Sequence, residues 1–145
     1  MLFRSPSTEA SYDTSNEASM VIRVDLGPHR LLLCGDLQGR GVEDVMANRD
    51  ADTLQASIME LPHHGSWSEV SAALVRLVDP QIVLQSTAGG RMIGDRWNEE
   101  LALRARYVTA ECGATIVQLA PDGSPQVQTH LGTSHFSVPD QGPSW

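Results

Sequence analysis

The chain has 145 residues, 41% of them hydrophobic, which suits one compact domain with its own core. It carries 18 acidic against 10 basic side chains, a formal net charge of -8, and every basic residue is an arginine. Such a surface repels phosphate backbones and argues against autonomous nucleic-acid binding, and no run of about 18 apolar residues is present to span a bilayer.

Residues 1–17 are rich in Ser, Thr, Glu and Asn and predict a loose arm, with no apolar segment of the signal-peptide kind. These features together predict a soluble, cytoplasmic chain. Met20 to Asp25 and Arg30 to Cys34 are short apolar runs joined by Gly27-Pro28-His29, which predicts a β-hairpin with an exposed His29. Gly41 to Arg49 reads as a short helix with Val42, Val45 and Met46 on one side, and Ala56 to Leu61 as the next strand.

Ser66-Trp67-Ser68-Glu69 fits a capping box ahead of a helix from Ser68 to Val78, which Asp79-Pro80 ends. Gln81 to Ser86 reads as a buried strand and Thr87 to Trp97 as a Gly-rich loop. Leu101, Ala105, Val108 and Cys112 recur at helical spacing, so a helix from Asn98 to Glu111 is predicted, closed by Gly113. Strands follow at Ala114 to Leu119 and Gln126 to His130 around a Pro121 to Ser124 turn, and residues 131–145 read as a flexible tail. Cys34 and Cys112 sit among apolar neighbours and read as small core residues rather than a disulfide or a zinc pair. A hairpin followed by alternating helices and strands defines an α/β layer over residues 18–130.

Two motifs stand just past strand ends. Cys34-Gly35-Asp36 follows Leu31-Leu32-Leu33, and Leu61-Pro62-His63-His64-Gly65-Ser66 follows Ile58-Met59-Glu60. If those strands are parallel neighbours, one carboxylate and two imidazoles emerge at one sheet edge, and this is a ligand set that zinc favours. The plain alternatives are an Asp36 that only caps the next helix and a His pair that merely occupies a turn. Adjacent residues of an extended segment point opposite ways, so one histidine serves as ligand and the other as a supporting or proton-carrying group. Trp67 and Trp97 flank this edge as core or loop anchors, and Arg91 reads as a solvated loop residue. His130 and His135 fall at the last strand and in the tail.

Asn16 to Val24, Leu32 to Asp36, Leu61 to Ser66, Asp79 to Ser86 and Gly113 to Ile116 together resemble the later half of the metallo-β-lactamase superfamily. The branch they resemble most is the one fused to ComEC-type DNA-uptake proteins. That resemblance implies half of an αββα sandwich and a site for two zinc ions that activates water for hydrolysis. It implies that Asp36 bridges the ions, that His64 completes the second with His63 as the fallback, and that Ser66 supports the loop or contacts substrate. The family's His-x-His-x-Asp-His cluster does not occur in this chain, nor does the further histidine ahead of Asp36, and a frequent Gly-His-Pro is replaced by Gly94-Asp95-Arg96.

Zinc sites use three or four protein ligands per ion, so this chain alone is expected to hold metal weakly. The expectation is therefore a partial metal-dependent hydrolase, plausibly of phosphodiesters, completed by a second polypeptide or by a homo-oligomer. The rival expectation is a degenerate, non-catalytic binding or assembly module.

Overall fold

The computed structural model of the chain describes residues 2–4, 12–47, 51–120 and 123–131. Among them a mixed sheet runs in the order β1 (Leu2–Arg4), β2 (Val21–Leu26), β3 (His29–Leu33), β4 (Ile58–Glu60), β5 (Ile82–Gln85) and β6 (Ala105–Val108). The first three strands pair antiparallel and β3 to β6 pair parallel. A separate hairpin joins β7 (Thr115–Gln118) to β8 (Gln126–Thr129). The expected hairpin and the parallel alternation that follows it are therefore present.

Helices α1 (Gly39–Ala47), α2 (Ala51–Leu54) and α3 (Glu69–Val78) connect the parallel strands. Their apolar stripes cover one sheet face: Val42, Val45, Leu54, Leu74, Val75 and Val78 close over Leu32, Met59 and Val83. The opposite face carries Ile58, Ile82, Ala105 and Tyr107, covered by Cys112 and by Val117 and Val127 of the β7–β8 hairpin. Side chains of successive strand residues alternate between faces, so Leu31, Leu33, Ile22 and Val24 belong to this second face through the register Ile22 to Leu33 and Val24 to Leu31. These four remain only half-buried.

Several sequence expectations need correction. The helix over Asn98 to Glu111 is instead a single turn, α4 (Trp97–Glu100), then β6, then another turn, α5 (Thr109–Cys112). Ala105-Arg106-Tyr107-Val108 mixes a basic, an aromatic and a β-branched residue, a composition that suits a strand, and it pairs residue by residue with Ile82 to Gln85. The helical recurrence of its apolar residues is a coincidence of spacing. The cap of α3 is Ser68, whose side chain accepts from the Ser71 amide, not Ser66.

His29 is buried, and its Nε2 donates to the Gly123 carbonyl, tying the turn before β3 to the β7–β8 connection. Leu2–Arg4 adds an edge strand within the segment expected to be an arm. Glu17, in the same segment, is nearly buried and accepts from the backbone amides of Asp13, Thr14 and Arg40. The expected end of the first helix at Arg49, the Pro121-Asp122 turn and the tail beyond 131 lie outside the described residues, as does His135. Both cysteines are buried and free; burial, and secondarily Glu60, pushes the Cys34 thiol well above its usual value. No helix among the described residues is long and apolar enough to cross a membrane.

Candidate functional site

Strands β3 and β4 run parallel with Leu31 beside Ile58 and Leu32 beside Met59, so both chains leave the sheet at the same edge. Cys34-Gly35-Asp36 turns away from β3 with Gly35 at φ 53°. Pro62-His63-His64-Gly65 turns away from β4 as a tight turn. The two turns are sewn together by the backbone: the His63 amide donates to the Gly35 carbonyl at 2.8 Å. The Ser66 amide then donates back to the His63 carbonyl at 2.9 Å and closes the turn.

This geometry brings Asp36 and His64 together. Nε2 of His64 stands 3.2 Å from Oδ1 of Asp36, and each side chain keeps close to half of its surface exposed. The other ring nitrogen, Nδ1, lies 3.0 Å from the Ser86 carbonyl. A carbonyl only accepts, so Nδ1 carries a proton, and Nε2 is the ring nitrogen left to face the carboxylate. The two atoms face each other across 3.2 Å, an arrangement that a proton or a cation between them satisfies. Zn–N and Zn–O bonds of about 2.0–2.1 Å at a tetrahedral angle set two ligand atoms about 3.3–3.4 Å apart, so the observed spacing fits two ligands of one ion.

His63 does not behave as an extended neighbour. The segment is not extended: His63 and His64 both adopt left-handed backbone, φ 49° and 57°, with ring centroids 6.3 Å apart. The expectation of opposed side chains rested on a strand continuing through the motif, and Pro62 starts a turn instead. Gly65, at φ 78°, is also left-handed, and a Cβ there would collide with the Gln85 side-chain amide. Its close approach is thus to Gln85. Among the described residues no group of three or more His, Cys, Asp or Glu is placed to hold a metal ion. The donor set fits one edge of a zinc site and does not fit a whole one.

Three residues that the sequence reading left without a role in the site, Gln85, Arg106 and Asp95, hold this turn together with Trp97. The Gln85 amide donates to the His64 carbonyl at 3.1 Å, and the Trp97 indole donates to the Gly65 carbonyl at 2.7 Å. Arg106 donates through Nε and Nη2 to Gln85 Oε1, and pairs with Asp95 at 2.6 Å. Their signals were present: a Gln closing the apolar run Ile82-Val83-Leu84, an Arg inside Ala105 to Val108, and an Asp two residues before a Trp. Trp97 is fully buried and meets Trp67 edge-on at 4.7 Å, while Arg96 lies over the Trp67 ring at 4.5 Å. Both tryptophans are thus anchors of the loop. Arg91 is exposed, as expected, and His130 is exposed at the end of β8.

Over 80 residues the chain is 34% identical to the uncharacterized protein YcaI of Escherichia coli (strain K12), covering 55% of this chain and 10% of that protein. Over 85 residues it is 32% identical to the competence protein ComA of Neisseria gonorrhoeae, covering 59% of this chain and 12% of that one. The chain thus matches about a tenth of the length of these relatives. No family model and no solved structure matches it.

Proposed function

We propose that this chain is one part of a metallo-β-lactamase-like, metal-dependent hydrolase, with Asp36 and His64 as its contribution to a two-zinc site. The observation that carries the reading is the approach of Asp36 Oδ1 and His64 Nε2 at 3.2 Å, with Nδ1 already committed to a carbonyl. It is supported by the position of the pair at the strand ends of a parallel sheet, where α/β folds place their sites. The substrate class, a phosphodiester, rests on the family resemblance alone.

In this reading Asp36 and His64 would hold the metal, with Asp36 as the shared ligand, and His63, half-buried beside them, would orient groups or carry protons. The Ser66 amide holds the turn shut, leaving its side chain to contact substrate. Bound zinc supplies a nucleophile by lowering the pKa of its water toward neutrality. The missing ligands come from a segment outside these residues or from a second polypeptide, and the second layer of the sandwich covers the half-buried apolar face of β2 and β3.

The experiment is a zinc titration by calorimetry of the chain, of Asp36→Ala and of His64→Ala, each alone and mixed with a polypeptide that bears a His-x-His-x-Asp-His segment. The expected result is weak binding by the chain alone, lost in both variants, and much tighter binding with phosphodiesterase activity in the mixture. Zinc binding indifferent to both substitutions would sink the assignment.

A second reading, a non-catalytic assembly module, draws on the incomplete donor set among the described residues. It expects the mixture to associate without zinc uptake or hydrolysis.

A further inference from the structure

Gln85 is buried at the end of β5, and the side chains of Arg106 in β6 and of Asp95 in the loop between the two strands are largely shielded. A side-chain amide can sit in two orientations that differ by exchange of its oxygen and nitrogen. Arg106 removes that freedom: a guanidinium has donors only, and Nε and Nη2 both address Gln85 Oε1. The Gln85 NH2 is thereby turned to the His64 carbonyl at 3.1 Å.

Arg106 is fixed in turn by Asp95 at 2.6 Å and by Asn98 at 3.0 Å. The other Asp95 oxygen accepts from the Trp97 amide at 3.1 Å, and the Trp97 indole holds the Gly65 carbonyl. Two consecutive carbonyls of the left-handed turn, His64 and Gly65, are therefore each gripped by a side chain, and both grips lead back to Asp95. Left-handed backbone at two non-glycine residues persists only where the surroundings over-determine it. A buried ion pair is weak evidence for stability, since apolar residues of similar volume often serve as well. Its location behind such a turn points to placement.

We propose that Gln85, with Arg106 and Asp95 behind it, is a positioning residue that sets the direction of the His64 imidazole. By holding the His64 carbonyl, it places the ring so that Nδ1 meets the carbonyl of the very next residue, Ser86, and Nε2 faces Asp36. The purpose of this placement rests on the metal reading above; the placement itself needs no metal.

The test is ring 1H–15N NMR of the metal-free chain in mildly alkaline buffer, comparing the unsubstituted protein with Gln85→Glu and Arg106→Lys. Gln85→Glu keeps the partner of Arg106 but sets an acceptor against the His64 carbonyl. Arg106→Lys keeps the charge for Asp95 but loses the two-pronged hold on Gln85. The unsubstituted protein is expected to show a His64 Nδ1 of the protonated type. Both variants should move it toward the averaged value of exposed His130, with the His29 signals unmoved.

A folded Gln85→Glu with an unaltered His64 Nδ1 overturns the proposal. If a variant does not fold, the unsubstituted chain decides: Gln85 side-chain amide protons that exchange as fast as those of exposed Gln81 also overturn it. A shift in His64 together with no zinc binding in any mixture sinks only the metal reading.

Discussion

His63, His64 and Gly65 form a run of left-handed backbone, and only the last is a glycine. The reason for that glycine is steric on two counts: its φ of 78°, and a Gln85 amide that already occupies the space a Cβ would need. Gly65→Ala is expected to cost about 1–3 kcal/mol in urea denaturation. Gly89→Ala, where nothing lies within 4 Å of the added carbon, should be close to neutral.

Glu17 illustrates a second residue-scale effect. Its carboxylate accepts amide protons from Arg40, Asp13 and Thr14, and these bonds, the Arg40 one foremost, hold it below its ordinary 4.5. The folded value is depressed, so its stabilisation is full above the unfolded value and is lost as pH falls through the folded one. Glu17→Gln should therefore lower the thermal midpoint at neutral pH and flatten its fall on the acid side of 4.5. At this scale the approach of Asp36 to His64 was legible, because a short polar motif after an apolar run marks a strand end. Gln85 and Arg106 were not, because the value of each lies in a partner 21 residues away.

The element that misled was the stretch from Asn98 to Cys112. Its apolar residues fit a helical stripe, yet Ala105–Val108 completes the parallel sheet beside β5. Periodicity cannot separate a helix from a turn, a four-residue strand and another turn when the apolar positions coincide. The strand places Arg106 against Asp95 with side-chain exposures of 10% and 5%, so this pair is largely cut off from water. Arg106→Ala leaves a buried carboxylate unpaired and is expected to lose about 3–5 kcal/mol by chemical denaturation. Arg76→Ala also breaks a short pair, to Glu100 at 2.6 Å, but Arg76 is 55% exposed. Its loss should be far smaller and should shrink further in high salt. Equal losses for the two variants would contradict a buried strand at Arg106.

The whole molecule is a sheet with two unequal faces. Helices cover one face from β3 to β5, while on the other the β7–β8 hairpin reaches Ile58, Ile82 and Tyr107 but leaves Ile22, Val24, Leu31 and Leu33 half-buried. The α/β class and the parallel pairing of β3 with β4 were readable from the alternation of elements; how far the hairpin reaches was not, because it depends on where a loop folds back. If a second layer bearing the missing ligands docks on this face, the two faces should answer differently to the same kind of substitution. Leu32→Ala opens a cavity under the helices and is expected to cost about 2–5 kcal/mol. Leu33→Glu, one residue on and pointing the opposite way, puts its charge where water already reaches and should cost the isolated chain much less. In the mixture with a His-x-His-x-Asp-His polypeptide, Leu33→Glu should abolish association in sedimentation or calorimetry while Asp36→Ala leaves it intact. Association that survives Leu33→Glu would place the docking surface elsewhere.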